Sequence, residues 1–238
     1  MTAITSFVLK SIFLKKRCYD HESYKIKRIY AKESPLIQYM EKEGYQFRYY
    51  GPENRFEEEL YGEKTVQFLP FSMMHWRMLC DMCNTEHKKF YLLHEMAETH
   101  VPYQSGNLEE CFYIAWDTPK NETERMGRKQ QRELGKKYLD EQLRFYQDFI
   151  SEDTKQIFIS DHATQQLDRI PLKGHGTHTN LVITGKEIPV ARVEGMFSYI
   201  NYDLLIKYLL DPKAGIPQEM LGDYVLTEWP DLYNKTYV

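Results

Sequence analysis

Four short apolar runs constrain this chain more than any other feature: "YQFRYYG" from Tyr45, "FYLLH" from Phe90, "QIFIS" from Gln156 and "NLVITG" from Asn180. Each is long enough for one strand and too short for a helix, and the segments between them repeat their apolar residues at helical spacing. Strands of this kind are buried on both faces, which requires helices on each side of the sheet they form. The sequence therefore predicts an α/β fold of three layers, α/β/α, around a mostly parallel central sheet.

The helical segments carry their own punctuation. Ser34 is placed to cap "SPLIQYMEKEG", with Pro35 at the first position and Gly44 just past the end. "FSMMHWRMLCDMC" reads as a second helix. In "RELGKKYLDEQLRFYQDFI", Leu139, Leu143, Tyr146 and Ile150 recur at i, i+4, i+7 and i+11, the repeat of one helical face. The basic stretch "RMGRKQQRELGKK" reads as the solvated start of that helix, with a grip on an anionic substrate as the alternative. A last helix is expected over "FSYINYDLLIKYLLDP", stopped with the help of Pro212. No internal repeat or linker interrupts the chain, so residues 1–238 are expected to form a single domain.

Bulk properties narrow the partners. A chain of 238 residues can bury one sizeable core. Its net charge of -4 lacks the excess of Lys and Arg that nucleic acid or an anionic membrane surface would need. No apolar run reaches the roughly 20 residues that span a bilayer. In "SFVLKSIFLKKR" the positive charges follow the apolar part, the reverse of a secretory leader, so a cytoplasmic location is expected. The four cysteines, Cys18, Cys80, Cys83 and Cys111, are too few and too irregular for a disulfide framework. Cys80 and Cys83 form a lone CxxC inside a helix, open to three readings: helix packing, redox chemistry or metal binding.

Chemistry is expected where the strands end, because loops at the carboxyl ends of α/β strands gather polar side chains. Three exits carry them: His94, Glu98 and His100 in "HEMAETH"; Asp161 and His162 in "SDHATQQ"; His175 and His178 in "KGHGTHTN". An adjacent carboxylate and imidazole leaving a strand, with two more histidines a few residues downstream, make a donor set for a divalent metal. Mixed nitrogen and oxygen donors suit zinc or manganese better than calcium or magnesium. The competing reading of "DH" alone is a helix cap beside a surface histidine.

The order "THVPY", "KKYLDEQL", "IFISDH" and "GTHTNLVITGKEIP" resembles the C-terminal part of a catalytic domain of the alkaline phosphatase superfamily, in particular its sulfatase-like hydrolases and transferases. The resemblance runs from about Ser34 to Asp211. It implies that Asp161 and His162 are ligands of an active-site metal, that His178 is a further ligand or touches the transferred group, and that His100 contacts the sulfuryl or phosphoryl oxygens or protonates the leaving group. His175 and Glu98 fall in the same neighbourhoods. Ala163 stands where a glycine is usual.

A larger departure is at the N-terminus. The family's first strand, with its metal-binding aspartate, has no counterpart here, and the chain is expected to lack that strand. The opening "MTAITSFVLKSIF" resembles the residues at and after the nucleophile, which makes Thr2 the implied nucleophile with Thr5 and Ser6 behind it. No cysteine stands where a formylglycine sulfatase would need one. The resemblance implies a metal-dependent hydrolase of sulfate or phosphate esters, acting on a small-molecule or glycan ester by in-line displacement. Two alternatives stay beside it: a phosphoethanolamine- or phosphoglycerol-type transferase, and a catalytically silent domain that binds a metal or a partner.

Overall fold

The structure is a computed structural model that describes residues 2–15, 28–51, 56, 71–83, 87–94, 121–160, 181–193 and 196–222. They fall into two compact units. One is Met40–Ile150, and the other joins the two ends of the chain, Met1–Tyr39 with Ser151–Val238.

In the first of these, β1 (Gln46–Tyr50) and β2 (Lys89–Leu93) pair in parallel, with Gln46 opposite Lys89 and Tyr50 opposite Leu93. Parallel neighbours need a crossover, and α3 (Phe71–Cys83) lies in the segment between them. Alternation along β1 sends its aromatic side chains to both faces. Phe47 and Tyr49 meet Phe56, with ring centroids 5.1 and 4.7 Å away. On the other face Tyr50 forms a core with Met78, Leu79 and Tyr146, and Met82, Leu139, Leu143 and Ile150 pack around it. The strand is therefore buried on both sides, as its composition predicts.

The long helix α4 (Glu122–Gln147) supplies Leu139, Leu143 and Tyr146 from the stripe read in the sequence. It begins ten residues ahead of that stripe's segment, at a cap in which Asn121 Oδ1 accepts a hydrogen bond from Glu124 N at 2.9 Å. The basic stretch is thus interior to the helix and is not all solvated. Arg128 and Gln131 are buried, while Lys136 and Arg144 pair with Glu133 and Asp140 on the outside.

Asp81 fastens α3 to β2. One carboxylate oxygen accepts from Lys89 Nζ at 2.6 Å and the other from the Tyr91 hydroxyl at 2.9 Å. Lys89 and Tyr91 are two apart and so share one face of the strand. Burial, followed by the hydrogen bond to Asp81, holds the Tyr91 proton well above the usual tyrosine range.

In the second unit, α1 (Thr2–Leu14) is buried from Val8 to Leu14, and Lys15 ends it with φ at +52°. Ser34 both caps and ties: its hydroxyl accepts from Ile37 N at 3.2 Å and donates to the Phe13 carbonyl at 2.7 Å. It thereby starts α2 (Pro35–Lys42) and anchors the end of α1. Gly44 follows α2 at φ +83°, the left-handed value that a helix-terminating glycine supplies. Lys15 reaches Asp203 of α5 (Tyr202–Leu210) at 2.8 Å, and Lys207 stands 3.7 Å from the same carboxylate.

The last helix is shorter than its apolar run. Met196–Phe197 instead form β5, paired antiparallel with β6 (Leu221–Gly222), and Tyr199–Asn201 make a tight 3-10 turn before α5 begins. Tertiary pairing has taken the start of the segment from the helix.

β3 (Gln156–Ile159) and β4 (Leu181–Thr184) pair antiparallel, with Ile159 opposite Leu181. β4 alternates half-buried and exposed residues, and Val182 is 52% exposed. An antiparallel ladder can leave one face in water, so this pair departs from the two-sided burial expected of it. The fold is mixed α/β: among the described residues one ladder is parallel and two are antiparallel.

Two measurements check this packing. Asp81→Ala strands the Lys89 ammonium, which is only 8% exposed, and is expected to lower the unfolding free energy by about 2–3 kcal/mol in urea titration. Burial pushes the Tyr146 hydroxyl from near 10 up to about 12. A raised folded pKa stabilises fully below the unfolded value and less as pH climbs through the folded one. Melting temperature should therefore fall between about pH 10 and about pH 12, and Tyr146→Phe should make that fall shallower.

Candidate functional site

Parallel strands end together, and β1 and β2 end at Tyr50 and Leu93. The ladder runs one bond further, His94 N donating to the Tyr50 carbonyl at 2.8 Å. His94 thus stands at the carboxyl edge where polar groups of α/β folds collect. Its ring is held from the core side: Tyr49 Oη and His94 Nδ1 are hydrogen-bonded at 3.0 Å. Tyr49 is fully buried, and a buried tyrosine hydroxyl needs such a partner.

Gly51 makes room for this pair. A Cβ at that position would collide with the Tyr49 hydroxyl and lie 3.1 Å from His94 Cβ. Tyr49 is the partner that reading by motif does not find. The available signal was indirect, an aromatic residue on the inward side of a strand that needed somewhere to place its hydroxyl.

The second group of polar residues follows β3 and the third precedes β4. Ser160 follows β3, and its carbonyl accepts a hydrogen bond from the Tyr199 hydroxyl. Because Ile159 faces Leu181, the chain leaves β3 and enters β4 at the same end of the ladder. Asp161 and His162 come directly after Ser160, and His178 precedes Leu181 by three residues.

Asp161, His162, His175 and His178 themselves lie outside the described residues, as do Glu98 and His100. Thr2 is the first residue of α1, with Thr5 and Ser6 in the same helix; their side chains are also outside the description. Among the described residues no group of three or more His, Cys, Asp and Glu is arranged to hold a metal ion. Nor, among them, is any helix long and apolar enough to cross a membrane.

No protein-family model matches the chain, and no curated protein matches it. Among solved structures it is similar to a protein in the alkaline phosphatase superfamily from Vibrio parahaemolyticus, with a TM-score of 0.54 and 13% sequence identity. The similarity covers 93% of this chain and 61% of that one, so the chain spans somewhat under two thirds of its neighbour's length. At this identity the likeness is one of fold. It accords with a mixed α/β chain containing a short parallel ladder.

Gly51→Ala tests the Tyr49 and His94 arrangement. Displacing a fully buried ring is expected to cost about 1–3 kcal/mol of stability in chemical denaturation.

Proposed function

We propose that the chain is a sulfatase-like, metal-dependent hydrolase of sulfate or phosphate esters, working in the cytoplasm on a small-molecule or glycan ester. The observation that carries this reading is the pairing of Ile159 with Leu181, because those are the strand ends from which Asp161 and His162 depart and to which His178 leads.

Asp161, His162 and His178, with His175 as a further candidate, would hold the metal. One carboxylate with several imidazoles fits zinc or manganese by donor chemistry. The ion, when bound, supplies Lewis acidity toward the ester oxygens and lowers the pKa of a coordinated hydroxyl. Thr2 would supply the nucleophile, its hydroxyl giving up its proton to solvent. Its oxygen attacks sulfur or phosphorus, the new bond forms as the ester oxygen departs, and the role that the motif assigns to His100 is to give that oxygen a proton. Water then releases sulfate or phosphate from Thr2. The Thr-Ala start of α1 favours a second reading, in which an acceptor hydroxyl replaces water and the chain transfers a phosphoryl group.

Metal analysis of the purified chain is the test. Divalent metal is expected to copurify, and Asp161→Ala combined with His162→Ala is expected to lower it at least roughly 10-fold while abolishing hydrolysis of aryl sulfates and aryl phosphates. Unchanged metal content in that double variant would contradict the assignment.

A further inference from the structure

The CxxC of α3 takes no part in the chemistry above, and its surroundings decide among the readings left open for it. Met78, Leu79 and Met82 turn inward and pack about Tyr50 and Tyr146. The other side of the helix presents Trp76, Cys80 and Cys83, spaced i, i+4 and i+7, and all three are exposed. Packing therefore does not account for the cysteines. Both thiols are free. A buried structural cysteine is inert, whereas an exposed one meets whatever oxidant the solvent carries.

Spacing then favours a bond between them. Side chains three apart on a helix have Cβ atoms about 5–6 Å from each other, and a disulfide needs roughly 3.5–4.5 Å. Closing that gap requires only a local tightening of the backbone. Cys83 is the last residue of α3, in the final turn, where carbonyls lack helical partners and the backbone yields most readily.

We propose that Cys80 and Cys83 form a site of reversible thiol–disulfide exchange whose oxidant is a low-molecular-weight disulfide. The thiolate of one cysteine attacks a sulfur of the small disulfide, forming a mixed disulfide and releasing one small thiol. The second thiolate attacks the protein sulfur of that adduct, closes the Cys80–Cys83 bond and expels the other small thiol. The protein gives up two electrons and two protons, and the small disulfide takes them up. Asp81 sits between the two cysteines and holds Lys89 and Tyr91 of β2. Tightening the turn draws its carboxylate off those partners, so the oxidised chain holds α3 to β2 less firmly.

The experiment incubates the full chain with glutathione disulfide, alkylates the remaining thiols and maps the peptides by mass. The peptide that contains Cys80 and Cys83 is expected to escape alkylation and to be lighter by two hydrogens, with both changes reversed by dithiothreitol. Cys83→Ser is expected to retain a glutathione adduct on Cys80. The melting temperature of the oxidised chain should fall by about 2–4 °C, and the double variant Cys80→Ser with Cys83→Ser should show no such fall. Alkylation of both cysteines after treatment, or bridges made to Cys18 or Cys111 instead, would overturn the site. An oxidised chain that melts unchanged would overturn its link to Asp81.

Discussion

Burial of β1 on both of its faces is the constraint on which the Met40–Ile150 unit depends. Phe47 and Tyr49 fill one side and Tyr50 the other, all with under a tenth of their surface exposed. A strand hidden in this way cannot leave its backbone groups to water, so it must pair along its length, and β2 provides that pairing in parallel. Parallel pairing in turn brings both strand ends to one edge. His94 is at that edge because of a pairing rule, and its ring is steadied there because Tyr49 must satisfy its own hydroxyl.

The unit built from the two ends of the chain is organised differently. Its ties join residues far apart in sequence through polar atoms: Ser34 to the Phe13 carbonyl, Lys15 to Asp203, and Tyr199 to the Ser160 carbonyl. Each ends or steadies an element near a place where the chain changes direction. Of the three, the Ser34 bond to the Phe13 carbonyl is buried, and there the hydroxyl removes a desolvation penalty of order 1–3 kcal/mol. The exit of β3 is thus held from both sides, by its ladder partner Leu181 and by Tyr199 one residue before Asp161.

Helix α2 was legible because its signals are local. A serine before a proline, an apolar face and a glycine nine residues after that proline require no knowledge of the rest of the chain, and the cap and the positive φ at Gly44 follow from them. The stripe of α4 was legible for the same reason, whereas its true start at Asn121 was hidden by a polar first half whose buried Arg128 and Gln131 break the amphipathic pattern. α5 was overextended because Phe197 suits a strand or a helix equally, and its partner, Leu221, lies far along the chain. The candidate site was legible as strand exits ending in Asp and His, which is a statement about type and order. Tyr49 was not, because it owes its part to a fold in the side chain's surroundings that spacing does not encode.

Periodicity and end signals by themselves determined that this chain alternates helices with short strands, where α2, α3 and β1 to β4 fall, and which exits carry chemistry-bearing residues, since these depend on neighbours within a few positions. Only the tertiary structure decided that β3 and β4 run antiparallel, that Val182 faces solvent, and that Cys80 and Cys83 point away from the core their helix covers. Each of these follows from what a segment meets across space, and an apolar strand or a helical cysteine is compatible with either outcome until its partner is in place.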